Sequence, residues 1–152
     1  MSNTVLTEDE MQIWKLYKNT FKAIFSRITK ETYDVVGISE GDFMVLDLVT
    51  NADGGQLRQQ ELADKMDWSR SRLSHHLTRM EKRGLIVKRA VDKGHGYKVT
   101  ITPQGTSALQ ATWPLHEKGI KEYFIEKLTP PDIESITRLA IATQDGAGPR
   151  CL

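Results

Sequence analysis

With 152 residues the chain is long enough for one domain with a buried core and short for a two-lobed enzyme. No apolar run approaches the ~18 residues needed to cross a bilayer, Met1-Ser2-Asn3-Thr4 lacks a secretion-signal pattern, and the lone Cys151 cannot form an internal disulfide, so a soluble cytoplasmic protein is expected. The net charge of +1 hides a basic middle between acidic ends: Arg58 to Lys98 holds 11 Lys/Arg against 5 Asp/Glu, and the rest holds 10 against 15, a distribution typical of nucleic-acid binding.

Thr7 followed by Glu8, Asp9 and Glu10 predicts a helix start, with a capping hydroxyl and acids at the positive end of the dipole. Met11, Trp14, Tyr17, Phe21, Ile24, Phe25 and Ile28 recur at three- and four-residue intervals and predict one long amphipathic helix ending near Gly37. A stripe this aromatic cannot all be buried in a small domain, and it calls for a partner subunit. Ser39 with Asp42 three residues on is a capping box for a second helix that buries Phe43, Leu46 and Val49. Asn51 to Gly55 is a turn cluster, not a phosphate-binding loop, because the glycine and lysine pattern of such a loop is absent.

Gln59 to Thr102 reads as a helix-turn-helix followed by a two-stranded wing. A short helix from Gln59 to Met66 sets Leu62, Ala63 and Met66 on one face, Asp67 and Trp68 turn the chain, and Ser69 caps the next helix. At about 100° per residue that helix groups Leu73, Leu77 and Met80 on a buried stripe. Centred opposite are Ser71, Arg72, His75, Thr78, Arg79 and Lys82, donors with no carboxylate among them. Ser69, Arg70 and Ser74 complete the expected DNA-reading set, and Gly84 is the expected left-handed terminator. His76 is expected to lie closer to the body than His75.

Leu85 to Val91 and Tyr97 to Ile101 predict a hairpin whose return strand alternates apolar Tyr97, Val99 and Ile101 with Lys98 and Thr100. Its tip presents Arg89, Lys93, His95 and Lys98 to phosphates or the minor groove, beside a helix in the major groove. Thr102 and Pro103 open a helix that runs through Leu109, Trp113, Ile120, Tyr123 and Phe124 to about Lys127, with a kink expected around residues 110 to 114 because of Pro114. Thr129, Pro130 and Pro131 restart a last helix bearing Ile133, Ile136, Leu139 and Ala140. Gln144 to Leu152 is expected to be a flexible tail, with Cys151 silent within it.

The runs QELADKM, SRSRLSHHLTRMEKRGLI and VTITPQG, with ISEGDFMVLDLV upstream, resemble the MarR family of winged helix-turn-helix transcriptional regulators from about Thr7 to Thr143. Many members carry an arginine after the serine of the recognition helix, where this chain has His75. The wing has Gly94-His95-Gly96 where an arginine-containing turn is common. These departures bear on the operator and the minor-groove contact, not on the fold. The resemblance implies a mainly α chain with a small β-hairpin wing and long N- and C-terminal dimerisation helices. The expected division is residues 1–38 and 103–143 for dimerisation, 39–102 for DNA binding, and 144–152 for the tail.

The same resemblance implies a homodimeric repressor on double-stranded DNA, probing a near-palindromic operator with two recognition helices about 34 Å apart. It also implies a small aromatic effector, for which Trp14, Tyr17, Phe21, Phe43 and Trp113 are candidate pocket residues against the plainer reading that they fill the core. No metal or other cofactor is expected: His75 and His76 point about 100° apart, and no second cysteine joins them. Paired carboxylates in a cleft, a nucleophile elbow and a nucleotide loop are all missing, so no enzyme is expected. His116, with Trp113 and Glu117, reads as a packing group. The rival reading is a winged helix that docks an acidic protein partner.

Overall fold

The computed structural model describes residues 5–92 and 94–144. Met1 to Thr4, Lys93 of the wing and the tail from Asp145 through Cys151 to Leu152 lie outside the described residues, with the expectations attached to them. Helix α1 spans Glu8–Val36, α2 Glu40–Thr50, α3 Gln59–Met66, α4 Arg70–Lys82, α5 Pro103–Tyr123 and α6 Pro130–Gln144. Strands β1 (Gln56–Arg58), β2 (Ile86–Ala90) and β3 (Tyr97–Ile101) form an antiparallel sheet in the order β1-β3-β2.

The helix starts follow their capping chemistry. Thr7 and Glu10 exchange backbone and side-chain hydrogen bonds at α1, Ser39 and Asp42 do the same at α2, and the Thr102 hydroxyl accepts from Gly105 N–H at α5. α4 ends on Arg83 and Gly84, and Gly84 takes the left-handed φ of 72° that a side chain would resist. α5 continues unbroken through Pro114 to Tyr123, and a 3₁₀ turn at Ile125–Lys127 links it to α6.

The wing differs from the expected two strands, because β1 pairs with β3 and makes the sheet three-stranded. Three residues are too few to display a period of two, and in sequence Gln56 to Arg58 merges with the turn before it.

The core lies in the lobe of residues 38–102: Ile38, Val45, Leu46, Val49, Leu62, Leu73, Leu77, Met80, Ile86 and Val99 form one buried cluster, joined by Leu109 of α5. α1 packs along α5 through its C-terminal half, where Ile28 is buried against Gly119 and Tyr123 hydrogen-bonds Glu31. Its N-terminal half and α6 keep their apolar side chains uncovered: Trp14 is 53% exposed and Leu139 52%. Among the described residues no helix is long and apolar enough to cross a membrane.

Candidate nucleic-acid interface

Helix α4 is held at its start by Ser69, whose hydroxyl accepts from Arg72 N–H at 3.2 Å. Its inner stripe, Leu73, Leu77 and Met80, is fully buried, which is why the opposite face stands away from the body. Ser69, Arg70, Ser71, Arg72, Ser74, His75, Thr78, Arg79 and Lys82 are all exposed. Arg89 in β2 and His95 in the turn are exposed as well, and Lys98 in β3 is half-buried. The helical spacing thus predicts which side of the molecule carries the donors, but it does not show how their charges are deployed.

Several of these cations already have work inside the protein. The Arg72 guanidinium lies 3.8 Å over the Trp68 ring, a distance suited to cation–π attraction. Arg79 Nη2 lies 3.2 Å from His76 Nδ1. An arginine can only donate, so Nδ1 accepts and the proton of the neutral ring sits on Nε2, facing Asp42 Oδ1 at 2.9 Å. That approach is close but poorly aligned for a hydrogen bond, so charge–dipole attraction carries most of it. Trp68 also meets the His76 ring edge-on, at 5.2 Å between centroids.

Asp42 is the hub. Its buried carboxylate accepts from Ser39 N–H at 2.9 Å and from Arg83 Nη1 at 2.6 Å, besides the His76 contact. Burial pushes the carboxyl pKa up, but His76, the Ser39 amide and the Arg83 charge outweigh it and hold the group well below the usual carboxylate range. Arg83 also donates to the Gly37 carbonyl at 2.5 Å, so one guanidinium joins the ends of α1 and α4 to the start of α2. Neither Arg83 nor Asp42 stands out in the sequence as part of the interface. Asp42 is legible there only as a cap, since its partner stands 41 residues away.

On the wing side, Lys88 is tied to α4, donating to Thr78 Oγ1 at 3.0 Å and lying 3.7 Å from Glu81. Thr78 is thereby partly occupied. A cleft of about 370 Å³ opens between Arg58, Gln59, Gln60, Arg70, His95 and Tyr97, and it adds Arg58 to the basic residues found from sequence.

The aromatic set considered for an effector separates into two groups. Trp14, Tyr17, Phe21 and Phe25 form a ladder along α1, with successive centroids 6.3, 6.4 and 4.6 Å apart. Phe43 and Trp113 instead meet each other and His116 between α2 and α5, with Phe43 5.2 Å from Trp113 and 4.6 Å from His116. Among the described residues, no ring of the ladder touches this second group. Burial lowers the His116 pKa, and the nearby Asp47 and Glu117 charges oppose that shift. Among the described residues, no cluster of three or more His, Cys, Asp or Glu is placed to hold a metal ion.

Residues 40–102, from α2 to the end of the wing, match a family described as a domain of unknown function (DUF7343). No curated protein matches the chain. Among solved structures it is similar to Sco3205, a MarR family transcriptional regulator from Streptomyces coelicolor in complex with DNA, with a TM-score of 0.86 at 23% identity over 97% of this chain and 93% of that one. It is also similar to AbsC, a MarR family transcriptional regulator from the same organism, with a TM-score of 0.82 at 24% identity over 93% and 97%. A third, the organohalide-sensing regulator RdhR-CbdbA1625 in its 2,4-dichlorophenol-bound form, has a TM-score of 0.76 at 18% identity over 97% and 89%. Over nearly its whole length, wing and terminal helices included, the chain has the winged-helix fold of the MarR family of transcriptional regulators.

Proposed function

We propose that the protein is a sequence-specific DNA-binding transcriptional regulator that acts as a homodimer and represses from a near-palindromic operator. The observation that carries this reading is the two-sidedness of α4: a fully buried apolar stripe, backed by an accessible face of Ser, Thr, His, Arg and Lys without a carboxylate. Such a face meets the acceptor-rich major groove and the phosphates flanking it. Ser71, Ser74 and His75 are the base readers in this scheme, with Arg70 and Lys82 on the backbone. Arg72 and Arg79 read bases after leaving Trp68 and His76, and Arg89, Lys93, His95 and Lys98 contact the minor-groove side. The DNA-bound state of the similar Sco3205 supports a duplex as the partner.

Dimerisation uses the uncovered faces of α1 and α6, which the fold leaves without a partner in one chain. Two recognition helices then stand about one turn of B-DNA apart. The phenol bound by the organohalide sensor supports a small aromatic effector that releases DNA. In this chain Phe43, Trp113 and His116 form one candidate wall, and a second copy would bring Trp14, Tyr17 and Phe21. Such an effector acts by changing the spacing of the two reading heads.

Selection of bound duplexes from a random pool tests the proposal. The expected outcome is a two-fold-related motif, with His75→Ala lowering discrimination by about 1–3 kcal/mol for each base interaction removed. Retention of the pool without enrichment would remove sequence specificity, and a flat or absent DNA titration would favour the docking of an acidic protein instead.

A further inference from the structure

Of the two adjacent histidines of α4, His75 is exposed and His76 is buried. The His76 ring is closely confined. It meets Trp68 edge-on at 5.2 Å between centroids, and on the α2 side a Cβ added to Gly41 would stand 3.0 Å from its Cε1 and 3.2 Å from its Nε2. A ring boxed in on both sides cannot swing away when its protonation changes, so its polar neighbours respond instead.

The two ring nitrogens have opposite needs. In the neutral ring Nδ1 accepts from Arg79 at 3.2 Å, while the proton on Nε2 faces Asp42 without a well-formed hydrogen bond, an unusual state for a buried donor. A second proton reverses both. The ring then becomes a cation against the Asp42 carboxylate, and Nδ1 becomes a donor that can no longer hold a guanidinium, which only donates. Asp42 keeps its charge in either state, since burial is outweighed by His76, the Ser39 amide and Arg83, which hold its carboxyl well below the usual carboxylate range. The other charged groups around the ring are Arg83 behind Asp42, and Glu40 and Arg72, which line the same cleft as His76 and Arg79. Arg79 is exposed, so it is the neighbour free to leave.

We propose that His76 is a positioning residue for Arg79: the neutral ring holds the guanidinium back, and a duplex that draws Arg79 away is bound together with a proton taken up at His76. One proton passes from solvent to Nδ1 as the hydrogen bond from Arg79 is given up, and no other group need change its charge. The sign follows from the competition. In the free protein Arg79 opposes that proton, in the complex it does not, and affinity therefore rises as pH falls. Departure of Arg72 from Trp68 removes a second positive charge from the cleft and acts in the same direction. Glu40 is present in both states and leaves the sign unchanged. The inference rests on DNA being the partner and on Arg79 leaving His76 to read it, as proposed above, and adds what controls that release.

The test measures affinity of the full-length protein for a duplex enriched by the selection above, by fluorescence anisotropy at fixed salt between about pH 8 and about pH 5.5. His76→Gln keeps an acceptor for Arg79 and cannot take up a proton. Over that interval the unmodified protein should gain about threefold to tenfold more affinity than His76→Gln. His75, His95 and His116 are present in both proteins, so their share cancels. Nitrogen-15 spectra of the imidazoles in the unmodified protein give a second readout that does not depend on the variant folding: Nδ1 of His76 should be bare in the free protein near neutral pH and gain a proton when the duplex is added. Equal pH slopes in a folded His76→Gln, or a proton on Nδ1 before DNA is added, overturns the role of His76 and leaves the DNA-binding reading intact. Failure of the selection to enrich any duplex overturns both.

Discussion

The winged-helix lobe and the terminal helices are made of similarly apolar segments and end in opposite states. In the lobe, Leu62, Leu73, Leu77 and Val99 are wholly buried, and the charges that enter it are paired around Asp42. In the N-terminal part of α1 and throughout α6, Trp14, Leu16, Tyr17, Ile136 and Leu139 are uncovered. A segment that closes on itself can fold from one chain. One that leaves a stripe of large hydrophobics in water is completed by something else.

The contrast breaks most severely at its buried charge. Asp42→Ala leaves the amide of Ser39 and one side of Arg83 without their acceptor, removes the charge that faces His76, and should cost about 3 kcal/mol, read as a lower urea midpoint at unchanged slope. The sign of the pH effect follows from the depressed carboxyl. Stability from Asp42 is fully present above the ordinary value of 3.8 and is lost as pH falls below it toward the lower folded-state value. Asp42→Asn should therefore narrow the stability difference between neutral and acid urea titrations. An equally steep acid loss in that variant would move the effect elsewhere.

On the other side, Trp14→Ala should weaken self-association by about 2 kcal/mol, roughly thirtyfold in the dimer constant, if the α1 ladder is the centre of the subunit contact. Sedimentation over a range of concentrations measures this, and an unchanged association constant would remove the ladder from that contact. The smallest effect is expected at the N-cap of α4. Ser69→Ala should lower stability by about 1 kcal/mol and leave association untouched.

Legibility in the sequence follows the range of the interaction. Thr7, Ser39, Ser69 and Thr102 announce helix starts because a cap is decided within four residues, and the stripe of Leu73, Leu77 and Met80 is visible because it repeats with the helix. His75 and His76 are separable for the same reason, and the first is exposed and the second buried. What escapes is non-local. The short β1 becomes a strand only on meeting β3. The bond between Arg83 and Asp42 spans 41 residues, and the division of the aromatic rings into two groups depends on how α1 lies on α5. The exposed arginines of α4 are likewise visible, but their resting places on Trp68 and His76 are not.

Arg83 links these two regions mechanically. Because its guanidinium grips both the Gly37 carbonyl just past the long first helix and the carboxylate that faces His76, the C-terminal end of α4 is bolted to the joint where α1 hands over to α2. Tilting one therefore loads the other. Under the proposed function, a displacement of α1 would reach α4 through Arg83, along a path only a few side chains long.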